Sequence, residues 1–420
     1  MKIICVSQRL PPSNKPLPAA PNRCHSVSHG FGLGHLSFYL QHPIHKLRRQ
    51  WRLFAEEGFH SVEEEFYYEF GRPSAPKETW QRFAAEARAA LLEEMSKENI
   101  DVLYAALHIA CEDDANKERS VVKLPVDAYS KRLDSMVKEM ERLHLPALEE
   151  PSPQELLDCI DAYLYTAQRF ALAEGPLELN SPYRINAHNV LAQKCGTPVG
   201  LAVVHLGLLQ RLKAAGALGA ADFELVLPAS GGRPYARAPG PETSGAGIVL
   251  TPRRLVLMLL NDLKRSSWPW EWPQGARSGF LPAAEAALGA SGRVGTADST
   301  TGVLQGKGRP FGDLARALLA SERLVLLGGA RLHLRDSGIL LYHLGRHEES
   351  YMALKKYQEL VAASEDADEP SDEDIAASAP NRPSLEGMRA ELNTIAEERS
   401  LVDKVIVKLE RIKAESSWTL

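Results

Sequence analysis

The sequence predicts an α+β fold that is mainly α, on three observations. Residues 199–209 are apolar on almost every side of a helix, which demands a helix enclosed by other segments. Phe223, Leu225 and Leu227 recur at every second position, and turn-bounded runs at 234–238 and 247–250 follow, which predicts a small antiparallel sheet. Elsewhere the apolar spacing is helical, ending in a helix–turn–helix over 335–363 and a heptad-patterned stretch over 384–415.

The enclosed helix has explicit start and stop signals. Thr197 offers a hydroxyl to an orphan backbone N–H, and Pro198 suits the first helical position. Polar residues return only at Gln210, Arg211 and Lys213, and Gly216 stands where a left-handed cap would go. Each buried Leu or Val contributes roughly 1.5–3 kcal/mol, so this helix should form much of one core.

At 420 residues and a net charge of −5, the chain predicts several domains and gives no case for nucleic acid or an anionic membrane. The five cysteines lack metal-ligand spacing and read as reduced, intracellular thiols, and no cofactor is implied. No apolar run approaches the ~20 residues of a membrane helix.

Residues 1–55 contain no Asp or Glu but carry Lys2, Arg9, Lys15, Arg23, Lys46, Arg48, Arg49 and Arg52. This reads as an organelle transit peptide, plastid favoured over mitochondrion. The alternatives are a disordered basic tail or a mispredicted gene start, with a cytoplasmic protein. A helical region follows over 61–173, with helices at 76–98, 99–115 and 125–145. Ser152 and Glu155 form a capping box for a further helix over 154–172. Residues 174–265 form the core, opening with a polar loop at 175–186 and closing with a helix at 253–264 begun by Thr251 and Pro252. Residues 266–312 read as a Gly-, Ala- and Pro-rich insertion led by Trp268, Trp270 and Trp272, which either stack a ligand or pack the base of the insertion. After a helix at 314–327 comes the hairpin, whose small residues Gly338 and Ser350 mark a close approach. Leu341, Tyr342, Leu344, Tyr351, Leu354 and Tyr357 line its candidate binding seam, with Met352 and Leu360 nearby. Residues 364–383 are an acidic linker, with seven acids in the ten positions from Glu365 to Asp374. In the terminal segment 384–420, Leu385, Met388, Leu392, Ile395, Val402, Ile406 and Leu409 form a narrow stripe, broken by Arg399, that docks on the chain itself or on a partner.

Three blocks carry a family resemblance: Leu103 to Ala110 leading to Tyr129 through Asp134; Asn189-Val190-Leu191 with Gly196-Thr197-Pro198-Val199; and Arg335-Asp336-Ser337-Gly338. Asn261-Asp262-Leu263-Lys264 adds a fourth, shorter match. The chain resembles the SirB-type proteins, which have a transglutaminase-like, papain-like core followed by tetratricopeptide hairpins. The resemblance implies a degenerate core over 174–265 and a tetratricopeptide-like hairpin over 313–363.

Active transglutaminase-like enzymes place a Cys at the start of the core helix, then a His and an Asp on the strands that follow. The helix N-terminus favours the thiolate, and the imidazole and carboxylate activate and orient it. At the corresponding positions this chain reads Pro198, Ser230 and Gly240. The resemblance therefore implies a non-catalytic scaffold or adaptor, binding a protein or peptide through the hairpin or the terminal helix. The rival is a thiol hydrolase or transferase with Cys195 as nucleophile and His188 as base. His205, about 10 Å down the helix axis from its start, is too far to serve.

Overall fold

The computed structural model describes residues 77–118, 122–145, 152–219, 222–239, 247–272, 278–289, 312–328, 331–365 and 385–416. The basic segment 1–55, residues 61–76, residues 290–311, the linker from 366 to 383 and Gly240 lie outside the described residues, as do the side chains of Leu385, Met388 and Leu392.

The architecture is α+β and mainly α. Helices α1 (Lys77–Met95), α2 (Val102–Glu118), α3 (Val126–Leu143) and α4 (Pro153–Ala162) come first. The predicted capping box is present: Ser152 Oγ accepts from Glu155 N, and Glu155 accepts from Ser152 N. The helix predicted over 154–172 stops earlier, passing into a π turn at Tyr163–Ala167 closed by Gln168 N on Tyr163 O. Arg169, at φ 60°, then turns the chain into β1 (Ala171–Leu172).

The predicted polar loop at 175–186 instead holds two short helices, α5 (Gly175–Leu179) and α6 (Pro182–Ile185), each begun by a proline, and α7 (Ala187–Gln193) follows. β2 (Cys195–Gly196) pairs with β1 in parallel, so not all the strand pairing is antiparallel. Next is α8 (Pro198–Ala214), with every residue from Val199 to Leu209 buried, as its all-round apolar sequence requires. Its end is marked by Gly216 at φ 79°.

The predicted strands appear as β3 (Glu224–Leu227), β4 (Tyr235–Arg237) and β5 (Ile248–Leu250), an antiparallel sheet in the order β4-β3-β5. The chain continues through α9 (Pro252–Ser267), α10 (Phe280–Leu288), α11 (Leu314–Leu326), α12 (Arg331–His343), α13 (His347–Glu365) and α14 (Leu385–Ser416). Thr251 caps α9 through Arg254 N, as its sequence predicts. Helix α10 lies within the stretch read as a loop-like insertion. Its Phe280, Ala283, Ala284 and Ala287 share one buried face, which the high Ala content disguised.

Two apolar cores result. One surrounds α8 and gathers α1–α4, the sheet and α9; the other gathers Trp268, Trp270, α10, α12, α13 and α14, with α11 contributing to both. The tryptophans are packing residues: Trp268 is enclosed, donates to Gly279 O at 3.0 Å and meets Trp270 and Trp272 edge-on. Over residues 401–409 the terminal stripe docks on the chain itself, burying Leu401, Val402, Val405, Ile406 and Leu409.

Ion pairs, buried around Arg323 and Arg335 and partly exposed around Arg211, join the parts. Arg323 of α11 donates to Glu112 at 2.8 Å and Asp113 at 2.7 Å on α2, and Arg88 of α1 also reaches Glu112. Arg335 and Asp336 of α12 meet Lys264 of α9, Ser278 and Glu398 of α14. Arg211 of α8 holds Asp134 and Ser130 of α3, and Asp101.

Candidate functional site

The head of α8, where the family resemblance would look for a nucleophile, is tightly packed. Thr197 Oγ1 accepts from Gly200 N at 3.1 Å, and Pro198 takes the first helical position. Thr197 N donates to Arg184 O at 2.8 Å, which seats the helix against α6. Glycine makes that approach possible. A Cβ on Gly200 would stand 2.8 Å from Arg184 O, and one on Gly196 2.9 Å from Val190 Cγ2.

Cys195 is half-buried in β2, within the field of Arg184. The Arg184 guanidinium is engaged by Glu178 and Gln193. His188, on α7, turns its ring edge to Tyr129, 5.8 Å between centroids, and its Nδ1 is buried without a partner. Burial pushes the His188 imidazole down to about 4. Among the described residues no hydrogen bond or ion pair joins Cys195 to an imidazole. Ser230 lies exposed in the turn after β3.

A polar cluster that the sequence reading missed lies lower on α8. His205, fully enclosed, has Nε2 3.0 Å from Asp161 Oδ1 and Nδ1 3.3 Å from the Tyr165 hydroxyl. A carbonyl can only accept, so the Tyr165 O–H donates to Pro234 O at 2.9 Å. Burial pushes the Tyr165 phenol up. Asp161 also accepts from Ala236 N at 3.4 Å, so the cluster pins α8 to α4 and to the edge of β4. One signal was available: His205 is the lone polar side chain in the apolar run of α8, and a buried imidazole needs partners. The cluster contains no Ser, Thr or Cys.

The hairpin residues divide. Leu354, Tyr357 and Leu341 are buried in the second core. Tyr342 donates to Ala287 O at 3.2 Å, and Tyr351 to Glu410 at 3.4 Å, so α10 and α14 cover this face. Leu344 is exposed, as are Met352 and Leu360. Ser350 Oγ donates to Gly338 O at 2.7 Å, the close helix approach that small residues at both positions predict.

Residues 127–215 carry a transglutaminase-like domain. They match the model of the Transglutaminase-like superfamily, from the first turn of α3 to the end of α8. No curated protein and no solved structure matches the chain. The transglutaminase-like stretch contains the second half of the first sequence block, Tyr129 to Asp134, and the whole of the second, Asn189 to Val199. The structure uses their polar residues internally: Ser130 and Asp134 hold Arg211, and Thr197 caps α8. Among the described residues no group of three or more His, Cys, Asp or Glu gathers in a way that could hold a metal ion, and no helix is long and apolar enough to cross a membrane.

Proposed function

We propose that the chain is a non-catalytic interaction scaffold or adaptor, in which a transglutaminase-like core carries a SirB-type, tetratricopeptide-like hairpin. One observation carries the reading: Pro198 stands at the head of the core helix, capped by Thr197 and packed on Arg184, while His188 and His205 face Tyr129 and Asp161. A proline offers no nucleophile, and among the described residues the Cys195 thiol is hydrogen-bonded to no imidazole. The partner is a protein or peptide that meets the exposed side of α12–α13 at Leu344, Met352 and Leu360, or the terminal helix. The acid-free, basic residues 1–55 support delivery to an organelle, the plastid first.

The test combines an activity assay with a binding assay. Purified protein is presented with a fluorogenic thioester and with a glutamine peptide plus a labelled amine. The expected result is no turnover that depends on a thiol. Turnover abolished by Cys195→Ala would establish the rival thiol enzyme instead. In extracts of the organelle, a partner retained by the wild type should be lost on Met352→Asp with Leu360→Asp. Retention undiminished by those changes moves the partner site away from the hairpin.

A further inference from the structure

Helix α10 is held against the hairpin by polar contacts at its C-terminal half. His343 Nε2 lies 2.9 Å from Ala283 O; because a carbonyl only accepts, Nε2 carries the proton and Nδ1 does not need one. Tyr342 O–H and Lys408 Nζ both donate to Ala287 O, at 3.2 and 2.6 Å. Ala287 lies in the last turn of α10, where carbonyls lack intrahelical partners, so α12 and α14 together cap it.

The same corner concentrates cationic and imidazole groups around one aromatic ring. Lys408 Nζ lies 5.6 Å from the Tyr342 centroid, the His347 ring 5.3 Å and the His343 ring 5.5 Å. Trp270 closes the far side, 4.3 Å from the His343 ring. His347 Nδ1 is buried without a partner.

The charged groups on each packed element can be named. From α14 comes Lys408. Helix α10 has only Glu285, and the segment that carries Trp270 has Glu271; both are exposed. At the start of α13, Glu348 is exposed and Glu349 is taken up by Arg346. Among the described residues no carboxylate is hydrogen-bonded or ion-paired to either imidazole. A proton added to either ring would therefore face the Lys408 ammonium with no compensating anion.

We propose that the docking of α10 and α14 on the α12–α13 hairpin is an acid-released latch, in which proton uptake by His343 and His347 beside Lys408 undocks the two helices and bares the hairpin face around Tyr342. This goes beyond the scaffold reading and does not depend on it, because undocking is read on the chain alone. Burial holds the His343 imidazole down to about 4, with its bond to Ala283 opposing and Lys408 adding. His347 is shifted down as well, by burial and then by Lys408. Docking therefore favours the neutral form of both rings. A released imidazole recovers a value of ~6.5, so at about pH 5 the His343 proton alone favours release by about 30-fold over neutral pH.

Hydrogen exchange of the full chain tests this, followed by mass spectrometry from about pH 7.5 to about pH 5 and corrected for the intrinsic rate. Amides of α10 and of the second half of α14 should lose protection by about 10- to 30-fold, while those of α8 keep theirs. His343→Gln keeps a donor for Ala283 O but cannot take up a proton, and it should remove most of the pH dependence. Lys408→Gln keeps a donor for Ala287 O and removes the opposing charge, and it should move the midpoint to lower pH. Three results would each overturn the latch: α10 protection unchanged at about pH 5, loss of α8 protection together with α10, or the same midpoint in both variants as in the wild type.

Discussion

Lys264 Nζ and Asp336 Oδ2 stand 3.0 Å apart with both side chains withdrawn from solvent. The first belongs to α9, which closes the α8-centred core; the second belongs to α12, which opens the hairpin. Arg335 donates to the same carboxylate and reaches Ser278 and Glu398, so one buried network ties α9, α12, α14 and the start of α10. Lys264, Arg335 and Asp336, charged members of two short sequence blocks, are therefore explained by a junction. Lys264→Met leaves Asp336 with Arg335 alone and should cost about 3–5 kcal/mol, the range for breaking a buried pair from one side. Adding Asp336→Asn should recover part of that loss. Urea denaturation of the two variants checks it; a double variant less stable than the single one would show that the charges do not act as a pair.

Gly338 sits where α12 crosses α13. A Cβ there would come 2.6 Å from Leu354 Cδ2 and 2.7 Å from Leu354 Cγ. Leu354 is fully enclosed and cannot yield. Gly338→Ala should therefore destabilise the chain by about 1–3 kcal/mol despite the better helix propensity of alanine. Pairing it with Leu354→Ala should make the Gly338 change less costly than it is alone, which a double-mutant cycle in urea measures directly.

Much of this was legible before the structure. The all-round apolar run of α8, its Thr197-Pro198 start and its Gly216 stop fix a buried helix by local rules alone. The first strand follows from the spacing of Phe223, Leu225 and Leu227, the other two from turn-bounded runs, and Gly338 with Ser350 from the need for close backbones. What escaped was non-local. Nothing near His205 in sequence says that Asp161 and Tyr165 would come to meet it, because Tyr165 lies 40 residues away and Asp161 further still, across β1, α5, α6, α7 and β2. The parallel β1–β2 pair has only two residues per strand, too few for a pattern. Helix α10 was hidden because small alanines give a weak apolar period, although they are what lets it lie close to α14.

Acid should weaken the fold through His188. Burial holds this imidazole at about 4 in the folded state, against ~6.5 when unfolded. Between those values the unfolded chain binds more protons, so stability rises with pH there and is lost as pH falls from ~6.5 towards ~4. The fully developed effect is about 2–3 kcal/mol for a ring that keeps slight solvent access. His188→Phe preserves the edge contact with Tyr129 and removes the titration. The stability difference between wild type and variant should therefore shift in the variant's favour on acidification, measured by urea midpoints at successive pH values. A constant difference would place the acid lability elsewhere.

The terminal helix offers the sharpest contrast between neighbouring residues. Leu409 is fully enclosed beside α10 and α13, whereas Val407 on the same helix is 57% exposed. Leu409→Ala should cost about 2–5 kcal/mol, and Val407→Ala should stay within about 0.5 kcal/mol of the wild type. The stripe position Ile395, two heptads before Leu409, is already 37% exposed, because α13 ends before it. Ile395→Ala should then resemble Val407→Ala in the isolated chain. If the exposed end of the stripe serves a partner, the same change should weaken capture of that partner while leaving the urea midpoint alone. A large loss of stability from Ile395→Ala would mean instead that the chain itself covers this position.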